Sequence, residues 1–326
     1  MNSKWMPSLA LTMAILLSLA GWSEAAREYP DKPIKFIVPL EAGSGGDLLT
    51  RPLVEGATRK MGQPIVVVNK PGASGSIGMR EVYEGKPDGY TLGMTTSFVT
   101  TNKMQGLFPY NQKDFDFIGI FQTDPAVVVS TAKRPWKTIK EMAEYAKAHP
   151  GEVSAATSSK GAIWWMAAVA LGDAVDAKLN ILPQAGAGGF AITQVSGGHA
   201  DLAVLGLPEA RGQIDAGNVR LLAIMGLNRA PGKYSDAPTM KEAGYTGGEV
   251  STVRSVFGPK GLPKPIFEKL VNVFGEVARS PEYRKFLTEQ NSIPLWASGS
   301  DAVKIYDEQS NVFRPLLERA GLLKEK

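Results

Sequence analysis

The sequence predicts an α/β protein built as two lobes, and three observations predict it. Short β-rich runs alternate with helical patterns of roughly 10–15 residues, the mark of parallel α/β units. That rhythm occurs twice, once on each side of Asp124. Loops rich in glycine and serine follow the strands, where open α/β sheets place their ligands. The chain has 326 residues, enough for two ordinary domains or one large one, and its 44% hydrophobic and 21% charged residues are those of a globular protein.

The elements follow in chain order. Lys4, the apolar stretch Met6 to Ala20, and the small residues Ser23 and Ala25 read as a secretory signal peptide of residues 1–25, cut near Ala25. The apolar run is about 15 residues, shorter than the roughly 20 a bilayer span needs. IKFIV (34–38) is then a strand and Asp47 to Met61 a helix. IVVV (65–68) and Gly75 to Glu84 repeat the pair, and YTLGMTT (90–96) is a third strand. A long β-rich run occupies 115–130, and Lys137 to Ala148 is a helix closed by His149-Pro150-Gly151. Strands at 153–157, 179–183, 200–206 and 219–226 alternate with helices at 162–171, 188–195 and 211–216. Helices Pro265 to Arg279, Pro281 to Gln290 and Asp301 to Arg319 finish the chain, and Pro315 should kink or break the last of them. The segments 115–130 and 252–258 are the candidate crossings. Lobe one is then 27–123 plus 253–326, and lobe two is 124–252.

Composition excludes several chemistries. The sequence has no cysteine, so disulfides, thiolate metal sites, cysteine nucleophiles and a lipid-bearing N-terminal cysteine are out. Its only histidines are His149 and His199, which excludes a histidine-rich metal site. No metal or cofactor is expected. A net charge of +4 fits an anionic ligand and is equally common for solubility. No basic run with interleaved aromatics points to nucleic acid. The processed protein is expected to be exported, soluble and monomeric.

Five loops carry the candidate ligand-binding residues. EAGSGGD (41–47), with Leu40 before it, offers Leu40, Ala42, Gly43, Ser44, Gly45 and Asp47. NKPGASGSIG (69–78) offers Ser74, and TTS (95–97) offers Thr95 and Ser97. TSSKGA (157–162) offers Ser158, Ser159, Gly161 and Ala162. PQAGAGG (183–189) offers Gln184, Ala185 and Gly186. Glycine permits close backbone approach, and helix N-termini present free N–H groups and a positive dipole end to an anion. The plain reading of Asp47 is the N-cap of the helix it opens; contact with a ligand, direct or through water, is compatible with that. Five such loops after strands favour a shared ligand cleft over unrelated turns. Nucleotide fingerprints are missing: Gly43-Ser44-Gly45-Gly46 runs into Asp47-Leu48 without G-x-G-x-x-G spacing, and there is no Gly-Lys-Ser/Thr. There is no G-x-S-x-G elbow either. His149 and His199 sit in turn sequences, where a solvated turn residue is the plain reading.

These residues resemble the substrate-binding proteins of the tripartite tricarboxylate transporters, the Bug family. The likeness begins at YPDKPIKFIVPLEAGSGGDLLTR and continues through GQPIVVVNKPGASGSIG, KPDGYTLG, HPGEVSAATSSKG, GGHADLAV, VRLLAIMG, APTMKEAGY and GPKGLP, covering nearly the whole processed chain. The resemblance implies a type II periplasmic-binding-protein fold, a two-lobe Venus flytrap with two crossings. It implies capture of a small carboxylate and delivery to a membrane permease, without catalysis. It also implies that backbone N–H groups and ordered waters hold the ligand carboxylate at Pro39 to Asp47 and at Ser158 to Trp165.

Three departures from the family pattern fall in lobe two and at its edge. The family's S-G-x-G-S-x-x-H becomes Ser158-Ser159-Lys160-Gly161-Ala162-Ile163-Trp164-Trp165. Its V-P-Y-K-G becomes Leu182-Pro183-Gln184-Ala185-Gly186. The tryptophan before the second crossing is replaced around Val253, with Arg254 after it. The plain reading of Trp164 and Trp165 is helix core. Successive residues cannot share a face, so the alternative turns one of them, with Trp165 at the family's histidine position, into a flat apolar cleft wall suited to an aromatic or long-chain acid. Arg254 is plainly a surface or structural residue; facing the cleft, its fork would hold a second carboxylate. Together the alternatives describe an aromatic or aliphatic dicarboxylate. A secreted hydrolase or lyase on the same scaffold, and a ligand-sensing receptor for a signalling partner, are the competing functions.

Overall fold

The computed structural model describes residues 28–184, 188–230 and 232–324. The expected signal peptide, 1–25, lies outside them, as do Ala185 and Gly186. The first half of the chain runs β1 (Ile34–Val38), α1 (Gly45–Met61), β2 (Ile65–Asn69), α2 (Ser76–Tyr83), β3 (Thr91–Thr95), α3 (Phe98–Met104) and β4 (Phe115–Thr131). Next come α4 (Ile139–Ala148), β5 (Ser154–Thr157), α5 (Ile163–Ala174), β6 (Asn180–Pro183), α6 (Gly188–Gly197), β7 (Leu202–Gly206), α7 (Leu207–Asp215) and β8 (Val219–Ile224). The chain ends in β9 (Ser251–Pro259), α8 (Lys264–Arg279), α9 (Pro281–Glu289), β10 (Ile293–Ala297) and α10 (Ser300–Arg319).

Two sheets share one strand. In the first, β2, β1 and β3 are parallel, and β9 joins β3 to β4 antiparallel, with β10 on the far side of β4. In the second, β4 lies between β7 and β8, and β5 and β6 extend the sheet parallel to β7. The partners change within β4: Phe115 to Pro125 pair with β9, and Ala126 to Ser130 pair with β7. The chain comes back at the same level. Val250 accepts from Ala126 N–H (2.9 Å) and donates to the Met225 carbonyl (2.8 Å). This is a two-lobe fold. β4 is buried along nearly its whole length on both faces, which explains its apolar runs Phe117 to Phe121 and Pro125 to Val129 on either side of the polar Gln122-Thr123-Asp124.

Each sheet has its own core. Ile34, Phe36, Val38, Leu53, Leu270 and Phe274 fill the first, where α1 meets α8 so closely that a side chain on Gly56 would fall 2.6 Å from Val277. Val127, Val129, Met166, Leu171, Leu202 and Val204 belong to the second. Phe313, Leu316 and Leu317, from the last turns of α10, are buried in that second core. Of the stretch 253–326 expected in lobe one, the described part therefore packs against both lobes, and the boundaries near 124 and 253 stand as a proposal.

Some local expectations change. α10 continues through Pro315, whose missing N–H frees the carbonyl of the exposed Asn311, where solvent can serve it. α3 was not anticipated, because its Val-Thr-Thr-Asn core is a weak helix sequence. Pro294 hides β10, which pairs only with β4 and so tolerates a proline as an edge strand.

Candidate functional site

The loop after β1 is built by its own side chains. Ser44, in extended conformation, caps α1 and its Oγ accepts from Asp47 N–H (3.4 Å). Asp47 is therefore the third helical residue, not the N-cap expected of it; Ser44 takes the cap because glycines fill the two positions between. The Asp47 carboxylate is 1% exposed and turns back on the loop. It accepts from Gly43 N–H (2.9 Å), Asn69 Nδ2 (2.9 Å) and Arg51 Nε (2.8 Å). Asn69 also donates to the Leu40 carbonyl (3.0 Å), which ties the end of β2 to the loop. Burial pushes the Asp47 carboxyl up, and these hydrogen bonds outweigh it and hold it below the usual carboxylate range. Its oxygens are thus engaged within the loop. What the loop offers outward is exposed Ala42, Gly43 and Gly45 and the start of α1. Gly43 needs its left-handed φ of +77°.

The neighbouring loops differ in what they present. Gly72, Ala73, Ser74 and Gly75 all have positive φ, with Ala73 at 46° and exposed Ser74 at 53°. Asn102 Nδ2 braces this turn by donating to the Ser74 carbonyl (2.7 Å). Two non-glycine residues in that region store strain, a pattern common at ligand sites. Thr95 is fully buried and its hydroxyl donates to Met79 Sδ, away from any cleft. Ser97 is also buried and bonds Gln309 Oε1 (2.9 Å), tying α3 to α10.

In the second lobe, α5 opens at Ala162, whose side chain makes no cap. Ser158 Oγ compensates from outside by accepting Trp165 N–H (3.1 Å). Ser159 Oγ donates to the Gln184 carbonyl (3.1 Å), joining the two second-lobe loops. Gly161, at φ +82°, accepts from Gln105 Nε2 of the first lobe (3.1 Å). A second bond crosses where Arg211 Nη1 on α7 donates to the Glu289 carbonyl (3.1 Å).

Three helix starts gather at the join, around Arg254. A side chain on Gly46, in the first turn of α1, would lie 3.3 Å from Arg254 Nε. Glu209, in the first turn of α7, caps Gly206 N–H (3.1 Å). Trp164, in the first turn of α5, packs over Gly206, where an added Cβ would be 2.9 Å from its ring. Trp164 and Trp165 are both buried; Trp164 is the one beside Glu209. Arg254 sits on β9 opposite Gln122 of β4 and makes a close ion pair with Asp124. Gln122 Nε2 donates to the same Asp124 oxygen (3.0 Å). Burial pushes the Glu209 carboxyl up, while the Gly206 N–H and nearby Arg254 oppose that rise.

Asp124, Gln122, Glu209 and Asn69 were not singled out from the sequence. Asp124 carried a signal as an acid within a long apolar strand. Glu209 carried one as an acid three residues after Gly206 in a Gly-Leu-Pro-Glu helix start, where it can reach back to the Gly206 N–H.

Two α/β lobes joined by β4 and β9, with glycine-rich loops and helix starts from both lobes meeting at the join, have the architecture of a solute-binding receptor. The chain belongs to the tripartite tricarboxylate transporter family receptors, whose family model matches residues 49–322. It is similar to the protein BugT of Bordetella pertussis, 28% identical over 299 residues that span 90% of this chain and 91% of BugT. Among solved structures it is similar to a TctC solute-binding protein from Polaromonas. Identity there is 30% and the TM-score 0.78, with 89% of this chain and 99% of that one covered. The periplasmic binding protein BugD is 29% identical with a TM-score of 0.75, over 91% of this chain and all of BugD. The Polaromonas protein is a solute-binding protein and BugD a periplasmic binding protein. Among the described residues no helix is long and apolar enough to cross a membrane.

Proposed function

We propose that this protein captures a small organic carboxylate in the periplasm and delivers it to the membrane subunits of a tripartite tricarboxylate-type transporter. The observation that carries the proposal is the gathering of the α1, α5 and α7 starts around Arg254, next to the point where β4 passes from one sheet to the other. A carboxylate there meets helix N-termini and neutral donors from both lobes. A ligand touching both lobes stabilises the closed form more than the open one, which is all a binding protein requires. Ser44, Gly45 and Asp47 shape the first-lobe half of this site. Ser158, Ser159, Gly161 and Ala162 shape the second, and Trp164, packed over Gly206 beside Glu209, supplies an apolar wall.

Catalysis would need a nucleophile beside a base. His149 packs edge-on against Tyr145 at 4.2 Å, and His199 lies against Gly197 in its turn. An aromatic or aliphatic dicarboxylate remains one form of the proposal, with Arg254 as the second clamp; its pairing with Asp124 means the second carboxylate would have to compete for that guanidinium.

The test is thermal unfolding of the exported, processed protein against mono-, di- and tricarboxylates at millimolar excess. A bound ligand at 100 times its dissociation constant contributes about 2.7 kcal/mol. Selective stabilisation by one class of acid without turnover supports the proposal. Turnover of any acid would favour an enzyme, and silence across the panel would overturn carboxylate binding.

A further inference from the structure

The polar cluster around Arg254 is unbalanced. Arg254 is its one cation, and it is already paired with Asp124. Glu209 adds a second acid from the other lobe. Gln122 and Asp124 are 0% and 1% exposed, yet Gln122 Oε1 and Asp124 Oδ1 have no hydrogen-bond partner. Arg254 Nε, against the first turn of α1, is the single buried donor left unmatched beside them. Buried polar atoms are almost always satisfied, so each such exception calls for a partner. Two acceptors and one donor call for a group that brings more donors than acceptors. A second bare carboxylate brings only acceptors and adds a negative charge beside Asp124 and Glu209.

We propose that Asp124 and Gln122, with Glu209 opposite, form a subsite at the back of the cleft that reads a hydrogen-bond-donating group on the ligand. The favoured ligands are then amino or hydroxy acids. This deepens, and rests on, the carboxylate reading above. The acid group lies at the α1 start within reach of Arg254 Nε, and the ammonium or hydroxyl meets Asp124 Oδ1 and Gln122 Oε1. Arg254 then does two things: its Nε faces the acid group, and its Nη1 fixes the Asp124 carboxylate so that Oδ1 is left for the ligand. Glu209 closes the subsite only when the lobes come together, because it arrives on α7.

The experiment is isothermal titration of the exported, processed protein with matched acids that differ in one group. Propanoate, lactate and alanine form one set; succinate, malate and aspartate form another; glutarate, 2-hydroxyglutarate and glutamate form a third. The expected result is at least tenfold tighter binding of a hydroxy or amino member than of its plain counterpart. Comparing hydroxy with amino members tells which donor is read. In Asp124→Asn the gap should fall below threefold, with the plain acid bound no more weakly than by wild type. Glu209→Gln retains a side-chain oxygen to cap Gly206 and should narrow the gap too, which keeps the test valid if Asp124→Asn fails to fold. A plain acid bound as tightly as its substituted partners would overturn the subsite while leaving carboxylate binding intact. So would a gap unchanged in the folded variants. No binding of any acid by folded protein would overturn both.

Discussion

Replacing Asp47 by asparagine tests whether the first loop is held from within. The carboxylate has three donors in place: Gly43 N–H and Arg51 Nε on one oxygen, and Asn69 Nδ2 on the other. An amide must turn its NH2 towards one of these sides, so at least one donor meets another donor. Hydrogen bonds to a charged group contribute about 1.5–3 kcal/mol each. The share from Arg51 is smaller, because its side chain is 45% exposed and exposed pairs contribute about 0–1 kcal/mol. The loss should be about 2–3 kcal/mol, or roughly 4–6 °C in Tm at about 2 °C per kcal/mol for a chain of this size. The effect has a sign in pH. The Asp47 carboxyl is held below its usual range, so its contribution is present at neutral pH and fades as pH falls below about 4 towards the folded value. Calorimetric scans from pH 7 to pH 3 should show the gap between wild type and variant closing at the acid end. A gap under 1 °C at neutral pH, or one that stays constant into acid, would refute the internal bracing of the loop.

Gly46→Ala places a methyl 2.4 Å from Leu40 Cδ1 and 3.3 Å from Arg254 Nε, so ligand affinity should fall about tenfold or more for a stability loss of about 1–3 kcal/mol; titration against unfolding separates the two. Gly119→Ala drives a methyl within 2.3 Å of the Trp296 ring, which packs on the first core, and should cost a similar ~1–3 kcal/mol in denaturant unfolding. Arg211→Ala removes an exposed interlobe bond to Glu289, so stability should change by less than about 1 kcal/mol while small-angle scattering of the ligand-free protein shifts to a more open form.

The architecture was legible because it rests on local pattern. The apolar runs at 34–38, 65–68 and 202–206, the helices between them and the long β-rich 115–131 each announce themselves over a few residues. The two lobes follow from counting that rhythm, and the glycine loops mark the strand ends where a cleft forms. The pairing of Arg254 with Asp124 was not legible. The two are 130 positions apart, and only the antiparallel register of β4 with β9 brings them together. An arginine read alone looks like a free clamp; beside its partner it is half spent. Thr95 shows the same limit from the other side. A hydroxyl after a strand suggests a ligand contact, yet here it faces Met79 inside the first lobe. The N-cap role read for Asp47 falls to Ser44, because which of the two caps α1 depends on where the two glycines let the helix begin.

The most direct measurement of the central claim is amide hydrogen exchange with and without the acid that stabilises the protein most. Protection should rise together at 42–47 and 158–165, since one carboxylate bridges the start of α1 and the start of α5. Protection confined to one lobe, or gained only outside both loops, would contradict capture between the lobes.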